Sequence, residues 1–238
     1  MLKVNEIDVY YGDLPALREV SIEVRQGEVV SVIGSNGAGK STLLKAISGM
    51  LRLRHGTILL RSNDISQVPS SHIVEQGISH VPEGRQIFPT MTVLENLELG
   101  AQFPRTKKVQ QKSIAQVFTF FPRLKERLGQ KAGTLSGGEQ QMLSLGRALM
   151  SNPRMLLVDE PTIGLDPIQQ EEVRGVLRAL RGQRTLILCT HDLGEARDLT
   201  DRVAILHRGK LVAKGPTAEV LGSGDALPFF RGENGARP

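Results

Sequence analysis

The sequence predicts an α/β fold: a mainly parallel sheet, an antiparallel β part at the N-terminus and an inserted helical subdomain. Continuous apolar runs such as Val29–Ile33 and Met155–Asp159 are typical of parallel strands that are buried on both faces. Segments with helical periodicity separate such runs, as expected when helices cover both faces of a sheet. The stretch 101–131 is instead basic and mostly helical, which indicates a helical insertion.

Composition is that of a soluble globular protein with one large domain or two small ones. The chain has 238 residues, of which 39% are hydrophobic and 23% charged. It contains neither an apolar run of membrane-spanning length nor a signal-peptide core, so we expect a cytoplasmic protein. The single cysteine, Cys189, lies in an apolar run, which predicts a buried, inert thiol in a reducing compartment.

The net charge of +5 and the pI of about 9.6 are compatible with a nucleic acid, an anionic membrane surface or no specific partner. The basic residues are scattered, and the densest groups, Lys107-Lys108 and 123–127, have no interleaved aromatic residues. With no Trp and only two Tyr, a surface that stacks on single-stranded bases is not expected. A solvated basic surface is favoured, and no nucleic-acid partner is predicted.

The N-terminal segments Lys3–Tyr10 and Leu17–Arg25 alternate apolar and polar residues, which predicts antiparallel strands with one covered face. Tyr11 follows the first strand and either packs on its neighbours or stacks on an adenine ring. We expect one domain over residues 1–222, with a helical subdomain at about 90–152, and a loose tail over 223–238. The other predicted elements are strands at Gly56–Leu60, Ile78–Val81 and Thr185–Cys189, helices at Ser70–Gln76 (capped by Ser70 or Ser71), Thr92–Leu99, Ile168–Leu180 and Leu193–Leu199, and a hairpin of Val203–Leu206 and Leu211–Lys214.

A phosphate-binding loop lies between the strand Val29–Ile33 and a helix predicted over Ser41–Ser48. Glycines permit close approach, so backbone N–H groups and the helix N-terminus can surround triphosphate oxygens. Lys40 would reach the β- and γ-phosphates, and the Ser41 hydroxyl would ligate Mg²⁺. This predicts a P-loop NTPase core that binds ATP. The loop consists of Gly34, Ser35, Asn36, Gly37, Ala38, Gly39, Lys40, Ser41 and Thr42.

Two carboxylates end the buried strand Met155–Asp159. Asp159 would hold Mg²⁺, and Glu160, one residue further, would orient or deprotonate the attacking water. Two acids at a strand end are also compatible with a purely structural role. Their combination with a phosphate loop favours the catalytic one.

A second predicted anion site is the stretch Leu135–Gln140. Ser136 can cap the helix that follows, while Gly137 and Gly138 leave its first N–H groups open. An ordinary capped helix would have the same pattern. A second anion site has a use if it serves a nucleotide held by another copy of the chain.

Together these motifs resemble those of the ATP-binding subunit of an ATP-binding-cassette (ABC) transporter, up to about Leu221. Leu135–Gln140, with Ser136, Gly137, Gly138 and Gln140, matches the signature motif. The resemblance implies the ABC ATPase fold and two subunits, identical or paralogous, that clamp two ATP head to tail. It also implies transmembrane permease partners and a peripheral position on the inner face of the cell membrane.

Three further residues match positions of this family. Tyr11 matches the aromatic residue that stacks on adenine. Asp166 matches the loop that meets the partner subunit, and His191 matches the switch histidine that contacts the γ-phosphate. Glu160 and His191 argue against a regulator that only binds nucleotide. The length leaves no room for the coiled-coil insertions typical of ABC proteins that act away from membranes.

Glu83 stands where the family usually has Gln. The runs Val81–Arg85, Phe120–Leu124 and Gln140–Leu143 resemble importers of branched-chain amino acids and related amides, whereas His191 and Asp166 match the broader family. A transporter for another solute, including an exporter, is the alternative. Glu83 is predicted to act at the γ-phosphate, through Mg²⁺ or the attacking water.

The loop from Glu83 to Pro89 is predicted to lead toward a docking groove for a membrane subunit, with Arg85 or Gln86 facing the partner. Phe118, Phe120 and Phe121 would be too many aromatic rings for so small a helical unit to bury. Some are therefore expected to line an exposed groove that takes a short helix. The alternative is that they form a small core within the helical subdomain.

Overall fold

The computed structural model describes residues 1–222, apart from the side chain of Pro104, so the tail predicted at 223–238 lies outside the described residues. The strands are β1 (Leu2–Tyr11), β2 (Leu14–Val24), β3 (Val29–Ile33), β4 (His55–Leu60), β5 (Asn63–Asp64), β6 (Ile78–Val81), β7 (Met155–Asp159), β8 (Thr185–Thr190), β9 (Arg202–His207) and β10 (Lys210–Pro216). The helices are α1 (Lys40–Ile47), α2 (Ser70–Glu75), α3 (Val93–Leu99), α4 (Pro104–Lys107), α5 (Gln110–Phe120), α6 (Pro122–Glu126), α7 (Gly137–Met150), α8 (Pro167–Leu180), α9 (Leu193–Leu199) and α10 (Thr217–Gly222).

The central sheet has the order β10-β9-β3-β8-β7-β6, and all pairs except the β9–β10 hairpin are parallel. Strands β3, β7 and β8 are buried at every residue, as their continuous apolar sequences predict. Because parallel strands end at one edge, the phosphate loop, Glu160 and His191 come together there. This is the predicted α/β architecture with a mainly parallel sheet.

A second, antiparallel sheet with the order β2-β1-β4-β5 covers the phosphate-loop helix. Apolar side chains of β1 and β2 pack with α1 and one face of the central sheet in a single core cluster. Two features of this sheet were not predicted. Strand β2 begins at Leu14 because it pairs with Tyr11 across a tight turn. The two polar residues of β5 carry no period-2 signal, so the strand was not predicted.

Helix α2 corrects one predicted detail. Pro69, rather than Ser70 or Ser71, is the N-cap residue, and no side chain caps this helix end. Ser70 and Ser71 lie inside the first turn. Pro69 itself has an extended backbone, with φ −59° and ψ 146°, and the helix begins at the next residue.

Helices α3 to α7 form the inserted helical layer, and its core is continuous with the central sheet. Phe121 is only 2% exposed, and its ring meets that of Phe120 edge-on at 6.5 Å between centroids. Phe118 and Phe120 are half-buried against the same cluster. The prediction that some of these three phenylalanines line an exposed docking groove is therefore wrong, because all three pack against the core of the helical layer. Helix α7 packs against both the insertion and the central sheet. The phenylalanines therefore share a core with the sheet and do not need one formed by the insertion alone.

Candidate functional site

A pocket of about 700 Å³ lies over the phosphate loop at the carboxyl edge of the central sheet. Helix α1 begins at Lys40, after Gly39 in the left-handed conformation at φ +106°. A Cβ on Gly39 would lie 2.6 Å from Cδ2 of Leu17, so the turn requires glycine. The pocket is lined by Tyr11, Leu14, Pro15, Ala16, Asn36, Gly37, Ala38, Gly39, Lys40, Ser41, Thr42, Glu83, Glu160, Ile163, Arg208 and Gly209.

Lys40, Glu160 and His191 form a chain of contacts beside the loop. The Lys40 ammonium donates to the Gly34 carbonyl at 3.0 Å and lies 3.2 Å from Oε1 of Glu160. Oε2 of Glu160 lies 2.8 Å from Nδ1 of His191. Lys40 and Glu160 are both buried, whereas the imidazole is about half exposed. Both carboxylate oxygens of Glu160 are thus held by nitrogen groups.

Glu160 leaves β7 in a left-handed conformation at φ +48°, which is uncommon for a residue with a side chain. Its backbone N–H donates to the Cys189 carbonyl at 2.9 Å, which fixes the turn against β8. This backbone geometry turns the side chain of Glu160 into the pocket. Strain of this kind is concentrated at functional sites, so the residue is a candidate for chemistry.

Asp159 is buried at the end of β7, where burial raises the pKa of its carboxyl above the usual range and the charges of Glu160 and Glu83 raise it further. A hydrogen bond from Ser41 and the charge of Lys40 act in the opposite direction. Within the described part of the chain, Oδ1 of Asp159 has no hydrogen-bond partner. A buried carboxylate oxygen beside a hydroxyl is a donor set that fits Mg²⁺.

Tyr11 is 47% exposed at the rim of the pocket, and its hydroxyl lies 3.4 Å from Oγ1 of Thr42. Leu14 and Arg208 line the same rim and were not predicted from the sequence. Neither belongs to a recognisable pattern. They reach the pocket because the β1–β2 sheet folds over the β9–β10 turn, where the Arg18 N–H donates to the Gly209 carbonyl at 2.8 Å.

The signature residues do not line this pocket. Ser136 is exposed and caps α7 in a capping box with Glu139: its Oγ accepts from the Glu139 N–H at 3.3 Å. The side-chain amide of Gln140 donates to the Leu135 carbonyl at 3.1 Å. Asp166 caps α8 by accepting from the Gln169 N–H at 2.9 Å. The structure therefore separates the two predicted anion sites within one chain.

Glu83 is exposed at the edge of the pocket and begins the loop 83–89, which two side chains hold to the helical layer. Asn96 is fully buried, accepts from the Phe88 N–H at 2.9 Å and donates to its carbonyl at 3.0 Å. Arg147 donates to the Gln86 carbonyl at 2.6 Å, and its guanidinium lies over the Phe88 ring. Movement of the helices would therefore carry this loop.

A groove of about 490 Å³ lies behind the loop, between α2, β6 and the helical layer. Phe88 and Met50 are its most exposed apolar side chains, at 48% and 56%. His80 contributes to its lining, and burial, with the charge of Lys45, lowers the pKa of this imidazole to about 4. The lining of the groove is thus mainly apolar, and it includes the charged side chain of Arg147.

Comparison with known proteins identifies the class. Residues 17–163 match the family described as ABC transporter, and the chain belongs to that family. It is an ATPase with a nucleotide site, as the predicted fold class and resemblance imply, and both predictions are confirmed.

The chain is 44% identical, over 93% of its length and 95% of the relative's, to the high-affinity branched-chain amino acid transport ATP-binding protein BraG of Pseudomonas aeruginosa. A solved ATP-binding cassette of an ABC transporter in its ADP conformation has a TM-score of 0.84 and 29% identity, with 98% of each chain covered. A dimeric cassette bound to ADP and phosphate has a TM-score of 0.77 and 27% identity, covering 91% of this chain and 99% of that one.

None of these comparisons tests individual residues, so the roles assigned to the site residues stay predictions. Within residues 1–222, no helix is both long enough and apolar enough to cross a bilayer.

Proposed function

We propose that the chain is the ATP-hydrolysing subunit of an importer for branched-chain amino acids or related amides. The observation that carries the ATPase role is the contact chain from Lys40 through Glu160 to His191 beside the phosphate loop. The substrate class rests on the similarity to BraG and on the Glu83-containing loop.

In this proposal, Lys40 exchanges its contact with Glu160 for the β- and γ-phosphates of ATP. The released carboxylate then accepts a proton from the attacking water, while His191 holds the other carboxylate oxygen and approaches the γ-phosphate. Tyr11 stacks on the adenine at the exposed rim of the pocket. Mg²⁺, held by Ser41, Asp159 and Glu83, would offset the phosphate charge.

The signature supports a working unit of two ATPase subunits, either two copies of this chain or this chain with a paralogue. Its residues lie outside the chain's own pocket, which supports a role at a nucleotide bound to a partner. Ile163 and Ile168, on either side of Asp166, are 46% and 72% exposed, as expected for a face that a partner covers.

The apolar groove beside Phe88 and Met50 is the proposed docking site for a short cytoplasmic helix of the permease. The docked permease helix would contact Phe88, and this contact would affect Glu83 through the loop 83–89. In this proposal the permease holds the chain at the inner face of the cell membrane.

The proposal is tested with the purified chain and with cells that lack its gene. We expect Mg²⁺-dependent ATP hydrolysis by the protein and loss of radiolabelled leucine uptake in the cells, restored by the gene. If leucine, isoleucine, valine and amide uptake all stayed normal, the substrate class would be wrong. An inactive purified protein with its permease present would refute the ATPase role.

Lys40→Ala is expected to weaken ATP binding about 10- to 100-fold, because a charge-assisted contact to phosphate is lost. Isothermal titration calorimetry with ATP measures the change. Lys45→Ala, a change of the same size in the last turn of α1, serves as the control and should bind ATP normally. Equal affinity in the two variants would refute the assignment of Lys40.

Glu83→Ala is expected to lower transport more than ATP hydrolysis, because the loop links the nucleotide pocket to the docking groove. Both rates are measured in the assembled transporter in proteoliposomes. Glu98→Ala, which removes a carboxylate from α3, is the matched control. If both rates kept their normal ratio and size in Glu83→Ala, the loop would have no coupling role.

A further inference from the structure

Arg85 lies against the signature of its own chain. A Cβ on Gly137 would lie 2.8 Å from Nη2 and 3.0 Å from Nη1 of Arg85, so the guanidinium occupies the space that a side chain at Gly137 would need. The same group lies near Gly164, where a Cβ would be 3.9 Å from Nη2. Arg85 thus joins the signature to the loop that precedes Asp166, although the three segments are distant in sequence.

The Arg85 guanidinium is paired with no carboxylate of the described residues. Among residues 1–222, the half-buried guanidinium makes neither an ion pair nor a hydrogen bond. It lies instead beside the first residue of the 14-residue helix α7, whose N-terminal end carries partial positive charge. The one carboxylate in the first turn of this helix, that of Glu139, is already engaged by the Ser136 N–H and by Arg127, which leaves Arg85 to meet an anion from outside the chain.

The backbone holds Arg85 there despite a local cost. Arg85 and Gln86 have φ angles of +65° and +45°, in the left-handed region that residues with side chains rarely adopt. The bond from Arg147 to the Gln86 carbonyl ties this strained turn to α7, the helix that begins at the signature. Arg85 therefore moves with the signature helix.

We propose that Arg85 is a phosphate-binding residue that acts on the nucleotide of the partner subunit. This inference rests on the proposed pairing of ATPase subunits. The guanidinium donates to γ-phosphate oxygens of the triphosphate that the partner's phosphate loop holds, next to the N–H groups of Gly137 and Gly138.

The loop then contacts both nucleotides of the pair. Glu83 lines the chain's own pocket, and Arg85, two residues later, lies at the signature that receives the partner's nucleotide. A change at one nucleotide is transmitted to the other through a segment of three residues. Such a link would make the two sites respond together.

The test uses the full chain carrying Glu160→Gln, so that ATP stays intact, and measures ATP-dependent dimerisation by light scattering. Arg85→Met is added to this parent, since methionine keeps an unbranched apolar stem without the charge. We expect the ATP concentration for half-maximal dimer to rise about 10- to 100-fold, from the loss of a charge-assisted hydrogen bond. Arg85→Lys keeps the positive charge but loses the forked N–H donors of the guanidinium. Its ATP concentration for half-maximal dimer should lie between those of the parent and Arg85→Met.

Two measurements separate this role from a structural one. ATP binding to the monomer and the melting temperature should be unchanged, because Arg85 does not line the chain's own pocket. The matched control is Arg123→Met, which removes an arginine of the helical layer that already pairs with Glu172 at 3.7 Å. This control should dimerise like the parent.

If the parent itself formed no dimer with ATP, the pairing of identical chains would be refuted, and with it the role of Arg85 in a pair of identical chains. If the parent dimerised and Arg85→Met did so at the same ATP concentration, only the role of Arg85 would be refuted. If Arg85→Met folds poorly, the Arg85→Lys variant is used for the decision. If Arg85→Lys dimerises at the same ATP concentration and with the same salt dependence as the parent, the inference is overturned.

Discussion

Glu160→Gln is expected to lower the rate of ATP hydrolysis about a hundredfold to ten-thousandfold, the usual contribution of a general base. The amide keeps the shape of the carboxylate but cannot accept the proton of the attacking water. Because Lys40 and the phosphate loop are unchanged, ATP binding should persist. The variant should then accumulate as an ATP-bound pair.

Release of phosphate measures the rate, and size-exclusion chromatography with ATP detects the trapped pair. The control is Glu171→Gln, which removes a carboxylate from the exposed side of α8, where it pairs with Arg178 at 2.7 Å. This control should hydrolyse ATP normally. Near-normal turnover in Glu160→Gln would mean that another group accepts the proton.

Ser136→Arg is expected to abolish hydrolysis while sparing ATP binding to the single chain. Ser136 is exposed at the start of α7, outside the chain's own pocket. A bulky side chain there would keep the partner's γ-phosphate away from the N–H groups of the helix. In this variant, calorimetry should therefore show normal ATP binding, while phosphate release should show no turnover.

The substitution also removes an N-cap, which costs about 0.5–2 kcal/mol of stability by itself. Thr92→Arg is the matched control, because Thr92 forms the same capping box with Glu95 at the start of α3. Both variants should lose similar stability, and only Ser136→Arg should lose turnover. A pair that forms with ATP and hydrolyses it normally despite Ser136→Arg would contradict the shared site.

The central part of the fold and site could be predicted because its determinants are local in sequence. Buried parallel strands are continuous apolar runs, and the phosphate loop requires its glycines, Lys40 and Ser41 within nine consecutive residues. Glu160 and His191 follow such strands directly. The carboxyl edge of a parallel sheet then brings them together without further information.

The remaining features depend on contacts between distant segments. Arg208 and Leu14 reach the pocket only because the antiparallel sheet folds over it, and no spacing encodes that approach. The contact of Arg85 with Gly137 likewise joins segments more than 50 residues apart. Phe121 is buried because the helical layer and the central sheet form one continuous core, and composition alone does not specify that contact.

His80 makes the fold sensitive to acid. Nδ1 of its ring lies 3.2 Å from the Ser48 hydroxyl. Burial lowers the pKa of the imidazole to about 4, against an ordinary value of 6.5 in the unfolded chain. The unfolded chain thus takes up a proton between these values while the native state does not. Native stability should fall as the pH drops through this window and stay constant, as far as His80 is concerned, above it.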